Sequence, residues 1–411
     1  RDPEMSRGLG DVYKRQGGTS PLGSRSGIFR HFAARSLKLN RTRSIVSIIG
    51  IALSCALITA IFTSVVTLYG GLLKAEIVTD GTWQVELVNV PEDELDTVHA
   101  DTRVEESYDR ISYGDALMPK SFEGYWGRYL SVQEWPTADA VGDLKPLPTI
   151  PEGRAPEAAD EIVLDLDLKG MTVENGRQLY DALPSTVKDA DAPRASWDGA
   201  LEIGSTIELA LGQRMFVDAE SGTEIPCLYD ESLYTTTTDK GDVISEYLAD
   251  IEPARTYKVV GFYAPKNAQA MDVWGYSLPG YLGFVSSSDL PVRQTSVYLT
   301  TNLTSRAAID KFIVDYTGLD HALFNGGNRG DLENMTVTGQ TVAYSHDSLL
   351  RYQGMTDDRS IWGTLYTLAA ILSTVVIVAS ISLIYNSFAI AVSERTRQFG
   401  LLSVSYTHLT L

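Results

Sequence analysis

Residues 44–73 read SIVSIIGIALSCALITAIFTSVVTLYGGLL, a run of 30 residues without one charged side chain. A second uncharged run of 34 residues, 360–393, reads SIWGTLYTLAAILSTVVIVASISLIYNSFAIAVS. About 20 predominantly apolar residues, each rising about 1.5 Å in a helix, are enough to cross the hydrocarbon core of a bilayer. The two runs therefore predict a membrane protein with two transmembrane helices, at 45–69 and at 362–389.

The charge of the chain is distributed unevenly around these two spans. The 411 residues carry a formal net charge of −19 and are 44% hydrophobic, averages that on their own resemble those of a soluble acidic protein. Residues 1–43 have a net charge of +7 and the residues after 393 a net charge of +1, which leaves −27 for 74–359. Because Lys and Arg concentrate on the cytoplasmic side of membrane proteins, we predict cytoplasmic termini and an extracytoplasmic loop at 74–359.

The two ends of the chain do not follow the patterns of the segments beside them. Residues 1–16 read RDPEMSRGLGDVYKRQ without an apolar period, and 404–411 read VSYTHLTL. We expect a tail at 1–27 that is partly non-native, a non-native tail at 404–411, and a chain that stops before its natural end. The alternative is an ordinary disordered terminus.

An amphipathic helix is predicted at 28–43, directly before the first span. Apolar residues between Phe29 and Leu37 recur at helical spacing and form one face. The basic residues expected to anchor this helix to an anionic membrane surface are Arg30, Arg35, Lys38, Arg41 and Arg43. The alternative is a solvated N-terminal helix.

Both predicted spans contain small or polar residues that favour helix–helix packing. In the first span Gly50, Ser54 and the alanines Ala52, Ala56 and Ala60 place small residues four apart, which lets another helix approach closely. The polar residues of the second span are Ser373, Thr374, Ser380, Ser382, Asn386 and Ser387. Polar groups in lipid are costly without partners, so these residues predict a helix packed in a bundle. The alternative is a single anchor whose hydroxyl groups bond to its own backbone.

The loop at 74–359 is predicted to form an α+β domain with two lobes. Apolar runs bounded by turn residues predict strands at 83–87, 161–168, 203–209, 257–263 and 296–300. A helix is predicted after Ser305, which serves as its cap, with an apolar face formed by Ile309, Phe312, Ile313 and Tyr316. Residues 184–200 are predicted to be a flexible insertion.

The sequence contains no motif for catalysis, phosphate binding or metal binding. GxxxxGK[ST], GxSxG, HExxH and GxGxxG do not occur, and the acidic clusters do not match the EF-hand spacing. The two cysteines and five scattered histidines provide no metal cluster, and the loop has no basic patch for nucleic acid. We therefore predict no catalytic residue, no cofactor, no metal and no nucleic-acid partner. An aromatic run from Phe122 to Trp135 indicates either a ligand cleft or part of the core.

Three stretches together resemble the MacB/FtsX-like permease family of ABC transporters. The first is ARSLKLNRTRSIVSIIGIALSCALI at 34–58, which is similar to the family's first span and the helix before it. The second comprises GRAPEAADEIVLD (153–165), LEIGSTIEL (201–209) and TYKVVGFY (256–263), which are similar in content and order to its periplasmic core domain. The third, NSFAIAVSERTRQFGLLS at 386–403, is the most specific, because a run of this type leaves the second span of family members.

The resemblance implies a permease subunit of a bacterial plasma membrane that has no ATP site of its own. It would pair with a separate ABC ATPase and with a second permease, as a homodimer or heterodimer. ATP hydrolysis would move the spans and the extracytoplasmic domain, for export or for mechanotransmission. A cytoplasmic segment at 390–403 would couple the spans to the ATPase through Glu394, Arg395, Arg397, Phe399 and Gly400. Family members have at least four spans, so a chain with two is expected to be a truncated member that is inactive alone.

Two other functions share this arrangement of span, outer domain and span. A membrane sensor or receptor would continue after the second span in heptads with apolar a and d positions. Gly400 follows the span closely, which counts against such a continuing coiled coil. A membrane-anchored enzyme is the third possibility, and no catalytic constellation supports it.

Overall fold

The computed structural model describes residues 41–122, 127–176, 191–217, 224–227, 245–264, 280–286, 289–318, 341–355 and 360–407. The chain divides into two compact units. A helical unit comprises the chain up to Leu68 and from Arg359, and a sheet domain comprises Tyr69 to Asp358. The predictions for 1–27, for most of 28–43 and for 408–411 lie outside the described residues.

Two long apolar helices flank the sheet domain in the sequence, as the two uncharged runs predict. The helices of the described residues are α1 (Arg41–Asp80), α2 (Glu92–His99), α3 (Ala138–Val141), α4 (Arg306–Thr317), α5 (Asp347–Tyr352) and α6 (Ser360–Thr407). α1 has 40 residues and α6 has 48, so both extend beyond the predicted spans. Within them, Ile45–Asp80 and Gly363–Leu401 are long and apolar enough to cross a bilayer.

In the helical unit, α1 and α6 pack along a stripe of small residues. The half-buried positions of α1 follow one another at three- or four-residue intervals and include Ser47, Gly50, Ser54, Ile58, Ile61 and Val65. A Cβ atom built on Gly50 would lie 2.7 Å from Cδ2 of Leu383, and the hydroxyl groups of Ser54 and Ser380 are hydrogen-bonded. The predicted packing role of Gly50 and Ser54 is confirmed, whereas the alanine series of the first span lies on the exposed face of α1.

The polar residues of α6 divide between the two predicted roles. Ser373 is buried and Ser380 and Ser387 are half-buried, so three serines at seven-residue intervals mark the packed face. Thr374 and Ser382 are exposed, and each donates its hydroxyl hydrogen to the carbonyl oxygen four residues earlier, at 2.7 Å and 2.9 Å. Packing against α1 and bonding to the backbone of α6 therefore both occur, and Ser380 combines them: its hydroxyl is hydrogen-bonded with Ser54 and lies 2.6 Å from the Val376 carbonyl oxygen.

The sheet domain is built on a mixed sheet. The strands of the described residues are β1 (Val85–Val88), β2 (Val104–Leu117), β3 (Tyr129–Glu134), β4 (Thr149–Gly153), β5 (Glu161–Asp165), β6 (Ser196–Trp197), β7 (Thr206–Leu209), β8 (Leu211–Val217), β9 (Glu224–Pro226), β10 (Ser245–Ala249), β11 (Arg255–Ala264), β12 (Gly280–Val285), β13 (Gln294–Thr301) and β14 (Val342–Ser345). Their main order is β14-β1-β13-β2-β3-β12-β5-β11-β7-β6, with β4 added at β11 and β8 joining β2 to β9 and β10. The pairs β5–β11 and β3–β12 are parallel, and the other pairs of these strands are antiparallel.

The five strands predicted from the sequence are present as β1, β5, β7, β11 and β13, with shifted bounds. β5 is shorter than predicted and ends at Asp165 because a 3₁₀ turn begins there. The Asp165 carboxylate accepts a hydrogen bond from the Asp167 backbone N–H at 3.0 Å, which caps this turn. Local side-chain chemistry therefore stops a strand that apolar alternation alone would continue to residue 168.

The predicted helix after Ser305 is confirmed as α4. The Ser305 hydroxyl accepts a hydrogen bond from the Ala308 backbone N–H at 3.4 Å, and Gly318 ends the helix in the left-handed conformation. Ile309, Phe312 and Ile313 are buried on its inner face. This face and residues of α2, α5, β1 and β13 form one hydrophobic cluster, and a second cluster is centred on β3, β5, β7 and β11.

The prediction of a flexible insertion at 184–200 is wrong for its described part, 191–200. Trp197 is 7% exposed, lies in β6 beside β7, and donates its indole N–H to the Met171 carbonyl oxygen at 3.0 Å. Its ring contacts the Phe122 ring edge-on at 5.6 Å. Trp197, the buried Ala195 and the hydrogen bond from the Ala195 N–H to the Leu117 carbonyl oxygen at 2.7 Å hold this segment, although the Asp, Pro and Ser residues around it are typical of a loop. Phe122 and Tyr129 of the aromatic run are also fully buried, which favours the core interpretation for both.

Candidate functional site

The predicted coupling residues lie near the C-terminal end of α6. Glu394, Arg397, Phe399 and Gly400 are all exposed, and Phe399 keeps 69% of its surface accessible. Arg395 lies in the same helix, with a side chain outside the described set. Glu394 and Arg397 are three residues apart and so share a face of the helix.

The helix continues through Gly400 to Thr407, so Gly400 does not end α6. A glycine inside a helix costs only about 1 kcal/mol relative to alanine, which a helix of this length tolerates. The seven-residue repeat of the packed face, Ser373, Ser380 and Ser387, falls next on Glu394. A carboxylate at that position is a stronger reason than Gly400 against a coiled coil that continues past the span.

The predicted membrane anchors are described only in part. Arg41 begins α1 and is exposed, and Arg43 lies in the first turn of α1, with a side chain outside the described set. Arg30, Arg35 and Lys38 lie outside the described residues. The basic anchor stays a prediction.

A site that the sequence does not reveal lies at the C-terminal end of α1, inside the sheet domain. Six residues from four parts of the chain form it, and we call them the collar: Glu76, Asp80, Trp83, Lys145, Tyr298 and His346. The first two belong to the last turns of α1, and Tyr298 belongs to β13. His346 lies between β14 and α5, the last described elements before α6.

His346 joins α1 to the chain that leads to α6. Its Nε2 lies 3.0 Å from Oε1 of Glu76 and 3.5 Å from Oδ2 of Asp80. Its Nδ1 lies 2.9 Å from the carbonyl oxygen of Trp83, and because a carbonyl only accepts, Nδ1 carries the hydrogen of that bond.

Aromatic rings fill the space between the charged groups of the collar. The Trp83 ring stacks on the His346 ring at 4.5 Å and meets the Tyr298 ring edge-on at 5.4 Å. The Lys145 ammonium lies 2.7 Å from Oδ1 of Asp80, 4.9 Å from the Trp83 ring and 4.8 Å from the Tyr298 ring. Lys145 therefore makes an ion pair and two cation–π contacts within one site.

Backbone hydrogen bonds continue the collar into the sheet. The Thr82 N–H donates to the Asp143 carbonyl oxygen at 2.9 Å, and the Gln84 N–H donates to the Leu299 carbonyl oxygen at 2.7 Å. Gly81, which follows α1, has a φ of +96°, and a Cβ atom built on it would lie 1.9 Å from the Leu144 carbonyl oxygen. Only glycine fits this close approach in this backbone conformation.

The Gln84 side chain, directly before β1, bonds to β13 and to the residue that follows α5. Its Oε1 accepts hydrogen bonds from the Thr301 N–H at 2.8 Å and the Thr301 hydroxyl at 2.7 Å. Its Nε2 donates to Oε1 of Gln353 at 2.9 Å, just beyond α5. The end of α1 is thus fastened to β13 and to the α5 region through contacts separated by more than 200 residues in the chain.

The collar is a set of ion pairs and ring contacts between the end of α1 and the rest of the sheet domain. Its carboxylates and imidazole are engaged by one another, and no group of three or more His, Cys, Asp or Glu able to hold a metal occurs among the residues that the structure describes. The only sequence signal that could have pointed to it is Trp83, an aromatic residue soon after an apolar span, where interfacial tryptophans are common. His346 is 263 residues away from Trp83, and no pattern connects them.

A comparison of the sequence with protein-family models finds no match. A comparison with curated proteins finds no significant match either. The functional interpretation therefore rests on the residues and their geometry.

Proposed function

We propose that this chain is a permease subunit of an ABC transporter of the MacB/FtsX type, embedded in the plasma membrane of a bacterium. Its two long helices would cross the bilayer, with the termini in the cytoplasm and the sheet domain outside. The large apolar side chains exposed along both helices support insertion, among them Ile48, Val66, Val375 and Phe388, each more than 60% exposed. In water such a surface would be strongly unfavourable, whereas in lipid it is not.

The contacts of the collar are the observation that supports mechanical coupling. A separate ATPase would hydrolyse ATP in the cytoplasm and displace the segment at 390–403, which belongs to the uninterrupted helix α6. Paired helices would transmit that movement across the bilayer. Because the end of α1 is held to β13 and to the chain that precedes α6, a shift between the two helices would change the sheet domain. Export of a substrate and mechanotransmission to another protein are both compatible with this movement.

The predicted partners follow from the same arrangement. The exposed Glu394, Arg397 and Phe399 provide charges and an apolar side chain suited to the ATPase surface. A second permease, as a homodimer or heterodimer, and further spans would cover apolar helix surface that α1 and α6 leave exposed.

The proposed topology is tested by labelling single cysteines in spheroplasts with a membrane-impermeant maleimide. The background replaces Cys55 and Cys227 by serine, and the two reporters are Glu157→Cys in the sheet domain and Arg397→Cys in α6. Glu157 is 78% exposed, so its reporter is accessible. We expect labelling at 157 in intact spheroplasts and at 397 only after permeabilisation. Equal labelling at both sites before permeabilisation would exclude the two-span topology.

The proposed ATPase contact is tested by a photo-crosslinking amino acid at Phe399, with Tyr385 as the matched control. Both side chains are strongly exposed, at 69% and 72%, but Tyr385 lies within the proposed span. We expect position 399 to capture a protein that contains GxxxxGK[ST], and position 385 not to capture it. Replacement of Glu394 and Arg395 together in the complete permease should lower ATPase stimulation without preventing insertion.

The second candidate is a two-span membrane sensor, and one observation favours it. α6 continues without a break to Thr407, as a helix that leads into a signalling domain would. Capture of a kinase-like or other signalling protein at position 399 would establish the sensor and exclude the permease.

A further inference from the structure

A cleft opens in the sheet domain where two neighbouring strands separate. β2 and β3 are paired from Ser112–Gln133 to Leu117–Tyr129, but β2 extends further back, to Val104. After β3 ends at Glu134, the Trp135 N–H still donates to the Val285 carbonyl oxygen next to it at 2.7 Å. The chain therefore follows β12 and leaves β2.

Pro136 explains why the pairing with β2 is not resumed. Proline has no backbone N–H to donate and cannot continue a ladder of hydrogen bonds in the middle of a sheet. The space left between the 107–109 part of β2 and the 134–140 segment is a cavity of about 310 Å³. That volume lies at the lower end of the range typical of small-ligand sites.

Two aromatic side chains line the cleft and are held in place from behind. The Trp135 ring meets the Phe284 ring edge-on at 5.4 Å, and the Tyr108 ring lies parallel to the Tyr298 ring at 6.2 Å. Burial raises the pKa of Tyr108 to about 12, so its phenol group is a neutral hydroxyl at physiological pH. Of the aromatic run noted in the sequence, Trp135 therefore lines the cleft, whereas Phe122 and Tyr129 belong to the core.

The polar groups of the cleft are mainly acidic. Asp109 and Glu134 contribute carboxylates, and His99 contributes an imidazole whose Nε2 lies 2.9 Å from Oδ1 of Asp109. The Glu134 carboxylate accepts a long hydrogen bond from the Tyr113 hydroxyl at 3.5 Å. Arg110, the nearby cation of β2, is engaged by Glu86 at 2.9 Å.

We propose that this cleft binds an organic cation, an ammonium or guanidinium group on an apolar stem, between Trp135 and Tyr108 with Glu134 as its counter-ion. Aromatic faces attract cations through their quadrupole, and the carboxylate fixes the charge at one end of the cleft. An exposed acidic surface alone would not provide walls for the apolar stem. The cation belongs either to a free small molecule or to a Lys or Arg side chain of a polypeptide, which could also pair with the open edge of β2.

The cleft is connected to the collar through two short paths. Tyr108 stacks on Tyr298, whose ring is part of the collar, and the 134–140 segment continues to Lys145, which pairs with Asp80. A bound cation would therefore contact a segment that reaches the end of α1. The binding proposal itself does not depend on an ATPase, so it can fail or hold independently of the permease proposal.

The test uses the full chain in nanodiscs of zwitterionic lipid, which do not attract cations by net charge. The small-molecule probe is phenethylammonium, with the neutral 2-phenylethanol as its isostere. The peptide probe is acetyl-Ala-Arg-Ala-amide, with citrulline in place of arginine as its neutral isostere. Binding is measured by calorimetry and by saturation-transfer NMR.

We expect at least one cationic probe to bind about tenfold more tightly than its neutral isostere, the size of a desolvated cation–π and charge contact. Glu134→Gln keeps an acceptor for Tyr113 and should weaken cation binding about tenfold. Glu152→Gln, which removes an exposed carboxylate paired with Lys169 outside the cleft, is the control and should leave binding unchanged. Preference for phenethylammonium identifies a free cation as the ligand, and preference for the peptide identifies a polypeptide.

Three results would overturn the proposal. The first is saturable binding by neither cationic probe. The second is equal affinity for cation and neutral isostere. The third is an unchanged affinity in Glu134→Gln, provided that its near-UV circular dichroism matches that of the parent chain.

Discussion

Two clusters of charged and aromatic side chains in the sheet domain differ chiefly in their access to water. The Arg214 cluster, formed by Arg214, Glu246, Tyr129 and Cys227, is sealed. The side chains of Arg214 and Glu246 are 1% and 2% exposed, and their Nε and Oε2 atoms are 3.6 Å apart. The collar is half open, since Asp80 and Lys145 are 38% and 27% exposed. Both clusters combine opposite charges with aromatic rings, so composition alone does not separate them.

The difference in exposure gives the two clusters different physical roles. In the sealed cluster, burial raises the pKa of Glu246 and of Cys227, and the attraction of Arg214 opposes that rise for both. Removing one buried charge takes from the other its main opposite charge, so this cluster fixes β8 against β10. In the collar, water screens the exposed ion pair between Asp80 and Lys145, which is therefore worth little. A weak ion pair beside a ring stack can rearrange at low cost, as the proposed movement of α1 would require.

The largest effect is expected from Glu246→Gln, which removes the negative charge beside buried Arg214. Breaking a buried ion pair on one side costs about 3 to 5 kcal/mol. The measurement is hydrogen exchange of the β8 and β10 amides, which reports the free energy of local opening. The control is Glu152→Gln at an exposed pair, expected to cost less than about 1 kcal/mol. Similar small losses in both variants would remove the distinction between the clusters.

Gly81→Ala should have the next largest effect, because it changes the backbone of the collar instead of its charges. The added Cβ atom would overlap the Leu144 carbonyl oxygen, and the φ of +96° is unfavourable for alanine. Strain and overpacking together predict a loss of about 2 to 4 kcal/mol. The matched control is Gly199→Ala, where φ is +68° and no atom lies within 4 Å of the new Cβ, so only about 1 to 2 kcal/mol is expected. The difference between the two thermal unfolding midpoints isolates the collar contact.

A pH titration sharpens the comparison, because it probes Asp165, a buried carboxylate beside which the described part of the chain places no cation. Burial raises the pKa of Asp165 from 3.8 to about 6, although Tyr263 donates a hydrogen bond to it at 3.3 Å. The folded state therefore holds this proton more tightly than the unfolded state does. The free energy of unfolding should fall as pH rises from about 4 to about 6, by up to about 3 kcal/mol. Asp165→Asn should remove this fall.

Glu161, at the other end of β5, provides the opposite sign as an internal control. Its hydrogen bonds with Arg154 lower its pKa to about 2 from 4.5. Its contribution to stability should therefore be present above about pH 4.5 and be lost as pH falls towards 2. An Asp165→Asn chain that still loses stability between pH 4 and 6 would show that another group is responsible.

The sequence predicts the parts of this molecule whose signals are local. The two uncharged runs predict α1 and α6, and Ser305 with its apolar face predicts α4. The length of an uncharged run and the helical spacing of apolar residues are properties of one continuous segment, so they can be recognised without knowledge of the tertiary fold. Asp165 ends β5 for a local reason too, its hydrogen bond from the Asp167 N–H. The end of the strand was missed because apolar residues continue to alternate up to Leu168.

The collar and the cleft were not predictable in the same way. His346 meets Glu76 across 270 residues, and the cleft depends on where β3 leaves β2, which only the strand order decides. Trp197 is a smaller example: its sequence neighbours are polar, so its burial beside β7 could not be predicted from them. Long-range pairing, rather than residue type, creates all three features.

The smallest expected effect is also the most specific test of the collar. A double-mutant cycle with Asp80→Asn and Lys145→Met measures the coupling of this ion pair in the free energy of opening at β1, followed by hydrogen exchange. For a pair this exposed we expect a coupling of about 0.2 to 1 kcal/mol that falls further at high salt. A coupling above about 2 kcal/mol, insensitive to salt, would place the collar with the Arg214 cluster as a rigid fixture. A weak, screened coupling would instead mean that the ring stack and the backbone hydrogen bonds hold α1 in place while the charges rearrange, as the proposed movement of α1 requires.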